Sequence, residues 1–540
     1  MILVRDAAEG IEVLLMQRRM DATVSGGAYV FPGGVVEPAD EDDYLASRCV
    51  GMTDAAASRL FNMERGGLTY WIAAIRECFE EAGLLLAYDE NDELPVIEDD
   101  ATGNRFAESR KKLNAGEMIF AQMCRTHHLR LATDRLVYFN HWITGQGRPR
   151  RFDTRFFIAM APQAQRSSHD DGETVGNVWI RPAEALARYR RGEIELVFPT
   201  FKSLEVLAAF NDTRAMMDHA RAPRPMPSMS PRAATGRDGR HVLFPGDFAY
   251  AEAGKLDPEG KGTISYEILP GVATSLSGKV RRITAPNPGV MTGPGTNTYL
   301  LGAGDEIAVI DPGPADEGHV RILLEESKGR IRWILVTHTH KDHSPAAELL
   351  RQKTGAQLLG LPSPPDANYD QSFRPDRELA HGERISVAGC GLRVIHTPGH
   401  ASNHLCYLLE DERLLFTGDH IMQGSTVVIT PPHGDMAAYF ASLRLLQQED
   451  IAYLAPGHGF LMDNPQDVVE RLLLHRMERE NKVFNALREL GPATLEGLLP
   501  TVYKDVPARM HPVAIRSLHA HLIKLKAENR ATEMDGRWRV

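Results

Sequence analysis

The run Thr337-His338-Thr339-His340-Lys341-Asp342-His343 follows the apolar stretch Trp333–Val336 directly and packs three imidazoles and a carboxylate into six positions. Three more such groups come later on glycine turns: Thr397-Pro398-Gly399-His400, Thr417-Gly418-Asp419-His420 and Pro456-Gly457-His458-Gly459. Imidazoles and carboxylates without a thiolate suit borderline divalent metals, zinc first. Strand alternation alone would send His338, His340 and Asp342 to one side, while leaving the strand lets His343 turn toward a second position. Of 21 histidines, 11 lie between His319 and His458. The others in that stretch have plainer readings: His396, His404 and His420 as packing or supporting neighbours, and His319, His381 and His433 as surface or loop.

A second candidate site precedes it. In Arg76-Glu77-Cys78-Phe79-Glu80-Glu81-Ala82-Gly83-Leu84, three carboxylates stand at i, i+3 and i+4 and share one helix face. An isolated acidic face is ordinarily just solvated. Three like charges near a Gly-Gly turn make more sense around a hard divalent cation such as Mg²⁺ or Mn²⁺. Gly83 is placed to end the helix.

These residues resemble the Nudix box, a glycine followed by an acid and then by Arg-Glu-apolar-x-Glu-Glu-x-Gly-apolar. The second half matches throughout if Cys78 counts as apolar. The first half is Phe31-Pro32-Gly33-Gly34-Val35-Val36-Glu37-Pro38-Ala39-Asp40, so Asp40 stands where glutamate is usual. Between Asp40 and Arg76 lie 35 residues, a long insertion that resembles the peroxisomal, coenzyme A-cleaving Nudix branch. Leu14–Arg19, Arg151–Phe157 and the following Asp171–Thr174 are similar to that branch too. The resemblance covers about residues 1–210. It implies metal-assisted attack of water on a diphosphate, with Glu77, Glu80 and Glu81 on the metal and Glu80 and Glu81 closest to the chemistry. Arg76 would orient a glutamate, and Asp40 and Glu173 are further candidates.

The histidine–aspartate series resembles the metallo-β-lactamase superfamily, where two metals share a bridging aspartate. Carried over by position, His338, His340 and His400 would hold one zinc. Asp342, His343 and His458 would hold the other, with Asp419 bridging and both aspartates at the catalytic centre. Asp311, in Ile310-Asp311-Pro312-Gly313, matches the first superfamily motif and would orient ligands from behind. A bridging aspartate argues against β-lactam hydrolysis. The 39-residue step from Asp419 to His458 leaves no room for the extra domain of RNA-cleavage factors. Thioesterase-like and small endoribonuclease-like branches remain. The segment Asn287–Tyr299 and the C-terminus through Leu522–Lys526 to Trp538 look like the branch containing β-lactamase-like protein 2. That branch has a C-terminal winged helix, and its animal mitochondrial members cleave single-stranded RNA. Ser344-Pro345-Ala346-Ala347 stands where a Gly-Gly pair is common.

The elements that must position these groups fit a multidomain α/β protein. At 540 residues the chain exceeds one core, and 43% hydrophobic with 25% charged residues is ordinary globular composition. The expected order is a Nudix α/β/α sandwich over 1–211, a Pro/Arg-rich linker over 212–245, an αββα sandwich over 246–470 and a winged-helix domain over 471–540. The five scattered cysteines suggest no disulfide framework. No apolar run approaches the ~18 residues of a membrane span, and no signal peptide is visible, so the expected location is cytoplasmic. The net charge of −11 argues against coating nucleic acid, yet residues 501–540 carry eight Lys/Arg against four acids. That local surplus fits a nucleic-acid backbone, with a helical cap or a homo-oligomer contact as the alternative.

The composite expectation is a bifunctional hydrolase. A Mg²⁺ or Mn²⁺ diphosphatase, acting on a nucleoside diphosphate or acyl-coenzyme A-type substrate, is joined to a two-zinc hydrolase of ester, thioester or phosphodiester bonds. The competing expectation is a zinc-dependent endoribonuclease whose Nudix domain only binds or assembles.

Overall fold

In the computed structural model, which describes residues 1–21, 26–97, 101–147, 150–170, 174–223 and 226–540, the chain divides into two units. One is Met1–Thr144 with Arg148–Ser230, the other Gly145–Gly147 with Pro231–Val540.

The first unit is built on a mixed sheet whose central strands are Gly10–Arg18, Ile2–Ala7, Asp153–Met160 and Val137–Ile143. Residue alternation loads both faces of it. Leu3, Leu14 and Met16 pack against Trp71, Ile75 and Phe79 of the helix Leu68–Ala82. Ile2, Val4, Val13 and Leu15 pack with Leu186, Leu204 and Met216 from helices on the opposite side. The result is the expected α/β/α sandwich. The insertion between Asp40 and Arg76 folds as the short helices Asp43–Ser47 and Asp54–Leu60 and returns the chain to the site.

The second unit is an αββα sandwich. One seven-stranded sheet includes Asn297–Leu301, Ile307–Ile310 and Ile331–Leu335, and a five-stranded sheet includes Cys390–His396, Leu405–Leu409, Leu414–Gly418 and Tyr453–Pro456. Leu301, Ile310 and Leu335 face Val394, Tyr407 and Phe416 between the sheets. Their sequence neighbours Leu300, Val309 and Ile334 turn outward onto helices Glu317–Ser327 and Ala346–Thr354. Ile395, Leu408 and Leu415 do the same toward helix Met436–Leu446. Strands buried on both faces explain the nearly continuous apolar runs of this region.

The long helix Pro465–Leu490 leads into helices Leu495–Val502 and His511–Ala527 and the hairpin Thr532–Met534/Arg537–Arg539. Val483, Leu498, Leu522 and Trp538 close this small winged-helix core.

The stretch 212–245 differs from the linker expected there. Asp212 caps the helix Thr213–Arg221, whose Met216, Met217 and Ala220 are buried in the first unit. Residues Arg232–Gly236 and Gly239–Leu243 form a hairpin that buries Ala234 and Leu243 with Phe460 in the second unit. The helix has few apolar residues and the hairpin alternates weakly, so the surrounding prolines dominate the composition. No helix among the described residues is long and apolar enough to cross a membrane, and all five cysteines are free.

Candidate metal centres and their geometry

In the second unit the loop after strand Ile331–Leu335 carries His338, His340, Asp342 and His343, and loops at the ends of neighbouring strands bring His400, Asp419 and His458 to it. The side chains sort into two groups, His338/His340/His400 and Asp342/His343/Asp419/His458. Within each group the ligand-type atoms lie within 4.8 Å of one another. Asp342 thus sits with His343 rather than with His338 and His340, as the superfamily resemblance implies and simple alternation does not. Asp419 faces both groups: Oδ1 is 3.3 Å from Nε2 of both His343 and His458, and Oδ2 is 3.8 Å from His400 Nε2. Gly457 permits this approach. A Cβ there would lie 2.6 Å from Asp419 Oδ1 and 2.8 Å from His343 Cε1.

The protons of four rings follow from their partners. Thr337 Oγ1 donates its single proton to Asp311 Oδ2 (2.7 Å), so it can only accept from His338 Nδ1 at 3.0 Å. His343 Nδ1 donates to Asp311 Oδ2 (2.9 Å), His400 Nδ1 to the Val428 carbonyl (2.8 Å) and His458 Nδ1 to the Gly295 carbonyl (3.1 Å). Each neutral ring therefore presents an Nε2 lone pair to the centre. His338 and His400 both bring Nε2 to 2.9 Å from His340 Nδ1. Nε2 of His343, Nε2 of His458 and Oδ1 of Asp419 are buried and make no hydrogen bond among the described residues. Converging lone pairs and unpartnered carboxylate oxygen fit divalent cations, and the absence of thiolate fits zinc.

Electrostatics agree. Burial and neighbouring histidines push His338 well below its usual pKa and His340 to about 3, and burial lowers His400. Burial also opposes a charge on His458, but the carboxylates of Asp419 and Asp342 lift it to about 9. His343 is raised against burial by Asp342, Asp419 and Asp311. Despite burial, His458 and His343 hold Asp419 well below the carboxylate range. The two aspartates call for positive charge, which a proton or a metal ion can supply.

Asp311 is the buried support behind this loop. Its Oδ1 accepts the Thr337 N–H at 2.7 Å, and its backbone sits at φ 51°, a left-handed conformation uncommon outside glycine. Thr337, Val428 and Gly295 were not anticipated from the sequence: a threonine beside a motif and two backbone carbonyls carry little residue-type information. Asn297 holds the loop of His458, donating to the carbonyls of Pro456 (3.0 Å) and Gly459 (2.8 Å). His404 and His420 are buried behind the ligand groups, His404 stacked on His338 at 4.9 Å. His319, read as surface or loop, is instead fully buried 2.9 Å from Thr298 Oγ1, because the helix Glu317–Ser327 turns it inward. His433, likewise read as loop, lines the cavity in front of the centre.

The carboxylate helix of the first unit is organised around a cation of its own. Arg76 is 4% exposed. It donates to both oxygens of Asp40 (2.8 and 2.9 Å), to Glu77 (2.9 Å), to Glu80 (2.8 Å) and to the Val35 carbonyl (2.9 Å). Asp40 is fully buried and reaches the arginine because Pro38–Glu41 forms a tight 3₁₀ turn. Glu81 accepts the Gly33 N–H at 2.8 Å. Gly34 leaves room for Glu77, since a Cβ there would lie 2.5 Å from its carboxylate. Burial raises the Glu80 pKa even though Arg76 pulls it down. The helix stops at Gly83, φ 70°, as expected. Convergent metal-ligating groups are found, among the described residues, only in the second unit. Glu173 lies outside the described residues.

Comparison with known proteins follows the same division. The Metallo-beta-lactamase superfamily matches residues 291–458, the NUDT19 Nudix domain residues 4–207, and the Beta-lactamase associated winged helix domain residues 494–538. The chain belongs to the metallo-β-lactamase superfamily, carrying a Nudix domain before that fold and the associated winged helix after it. It is a hydrolase, and its metallo-β-lactamase and Nudix domains are of kinds that use divalent metal ions. A beta-lactamase-like protein 2 homolog of Drosophila melanogaster is 32% identical over 279 residues, covering 49% of this chain and 92% of that protein. An atrochrysone carboxyl ACP thioesterase of Aspergillus fumigatus is 33% identical over 250 residues, covering 43% of this chain and 76% of that protein. A metallo-beta-lactamase family protein from Thermus thermophilus aligns with a TM-score of 0.43 and 21% identity, over 49% of this chain and 99% of that one.

Proposed function

We propose that this chain is a bifunctional metallohydrolase: a two-zinc thioesterase in the second unit and a Mg²⁺- or Mn²⁺-dependent diphosphatase in the first. The observation that carries the zinc-site reading is the set of four imidazoles whose Nδ1 atoms are all engaged elsewhere, which turns their Nε2 atoms inward around two carboxylates. His338, His340 and His400 would hold one ion, Asp342, His343 and His458 the other, and Asp419 both. When bound, such ions lower the pKa of water and offset the charge that develops on an attacked carbonyl. Asp311 and Thr337 keep the rings in the required tautomer, and Asn297 fixes the loop of His458. Asp342, half-buried beside His458, would be the carboxylate that accepts a proton from an attacking water, while Asp419 would be engaged with both ions.

Thioester hydrolysis is favoured over RNA cleavage on two grounds. Curated relatives matched over most of their length include thioesterases. Three of the eight Lys/Arg of residues 501–540 are also paired with acids, which reduces the basic charge free for a nucleic-acid backbone: Lys524 and Arg530 with Glu480 and Glu528, and Lys526 with Glu533. In the first unit, Glu77, Glu80 and Glu81 would hold the hard cation, while Arg76, tied to Asp40, orients Glu77 and Glu80. A diphosphate of the acyl-coenzyme A kind fits the branch that the insertion resembles. The test is a panel of thioesters, acyl-coenzyme A and nucleoside diphosphate substrates and short RNAs, run on wild type, Glu80→Gln and Asp342→Ala. Thioester cleavage lost only in Asp342→Ala and diphosphate cleavage lost only in Glu80→Gln is the expected result.

A further inference from the structure

A cavity of about 310 Å³ opens in front of His340, Asp342, His400 and Asp419, and the C-terminal helix His511–Ala527 supplies one of its lining residues, Arg516. Two contacts flanking the carbonyl that orients His400 hold this helix region in place. Ser517, the next residue, accepts the Ile429 N–H at 3.3 Å, and Arg476 of the preceding long helix donates to the Val427 carbonyl. Ala520, one turn on, is buried in the apolar cluster that contains Ile429 and Phe440. The winged-helix domain therefore forms part of the wall of the metal cavity.

The charges of that wall are uneven. Arg516 is exposed and makes no ion pair or hydrogen bond among the described residues, and the same holds for Lys341 on the ligand loop, which also lines the cavity. The neighbouring C-terminal cations Lys524, Lys526 and Arg530 are all paired with acids. Asp366 also lines the cavity, and its Oδ1 accepts the Asn368 N–H at 2.7 Å. Met291, Met422, Val427, Val428 and Pro431 give the cavity an apolar wall suited to an acyl chain. Two unpaired cations suit a dianionic group, and a guanidinium grips a phosphate through two parallel N–H bonds.

Resting on the thioesterase reading above, we propose that Arg516 is a substrate-binding residue. It holds, with Lys341, a phosphate monoester on the thiol arm of the substrate while the acyl group lies on the apolar wall. The C-terminal domain then acts as a specificity element for a small-molecule thioester.

The experiment uses the zinc-loaded full chain and two thioesters with the same acyl group, one on pantetheine and one on its 4′-phosphate. Wild type is expected to favour the phosphorylated ester by roughly ten- to a hundredfold in kcat/KM, mainly through KM, the size of a hydrogen bond to a charged group. Arg516→Ala collapses that ratio toward one, and Arg516→Lys keeps part of it. Lys526→Ala, which removes a paired charge of the same helix, preserves it. Calorimetric titration with the non-hydrolysable thioether of the phosphorylated arm gives the same order of affinities without turnover. Equal turnover of the two esters by wild type, or a ratio and thioether affinity unchanged in Arg516→Ala, overturns the role of Arg516 and leaves the thioesterase reading standing. Failure of wild type to cleave either ester overturns the thioesterase reading and the substrate assignment with it. Selective loss of short-RNA cleavage in Arg516→Ala overturns the proposal in favour of a phosphodiester substrate.

Discussion

The two carboxylate-bearing sites of this chain deal with their charge in opposite ways. In the second unit Asp342 and Asp419 face the inward Nε2 atoms of His343 and His458, so the positive charge they need must be a proton or a metal ion. In the first unit the protein supplies the cation itself: Arg76 is bonded to Asp40, Glu77 and Glu80 at 2.8–2.9 Å. One site is assembled to receive ions. The other is assembled around an arginine and leaves only part of its carboxylate capacity for a metal.

The sharpest way to break this comparison is to remove the shared aspartate. Asp419→Ala should lower thioester turnover by roughly a thousandfold or more, the several kcal/mol attributed to metal-assisted stabilisation, and leave diphosphate cleavage intact. Equal loss of both activities in steady-state assays would mean that the sites are not independent.

Next in size is the arginine. Arg76→Ala strands a buried Asp40 and should destabilise the first unit by about 3–5 kcal/mol, visible as a lowered unfolding transition with zinc content unaltered. An unchanged transition would show that Asp40 finds another partner or is protonated at little cost.

A smaller effect is expected behind the metal centre. Thr337→Val removes the acceptor for His338 Nδ1 and a donor to Asp311, and should weaken zinc binding by roughly ten- to a hundredfold in competition with a chromogenic chelator. Retained affinity would place the tautomer control elsewhere.

The smallest effect is a slope. Because the metal-free His458 has a pKa raised to about 9, it carries a proton below that pH and the metal must displace it. Zinc affinity measured calorimetrically should therefore rise with pH between 6 and 8, by about tenfold per unit for each proton released. A flat profile would contradict the charge balance described for Asp342 and Asp419.

Much of this architecture was legible in the chain itself. The His338–His343 run and the glycine-flanked His400, Asp419 and His458 carry their chemistry in residue type and spacing, and strands buried on both faces read as apolar runs. The pairing of Asp40 with Arg76 was obscured by 35 intervening residues, although folding returns them to hydrogen-bond distance. The carbonyls of Gly295 and Val428 could not be foreseen, since any residue supplies a carbonyl. Arg516 reaches the cavity through tertiary packing of a domain with no ligand motif. The helix Thr213–Arg221 was hidden by its length: nine residues with a single Met-Met pair give little periodicity beside a proline-rich stretch.

The central claim is a two-ion centre in the second unit, independent of the carboxylate helix in the first. Zinc per chain, measured by plasma emission on purified full-length protein after zinc supplementation and dialysis, tests it most directly. Two zinc ions in wild type and in Glu80→Gln, with fewer in Asp419→Ala, is the predicted result. About one zinc or fewer in wild type, or a loss of zinc in Glu80→Gln, would contradict it.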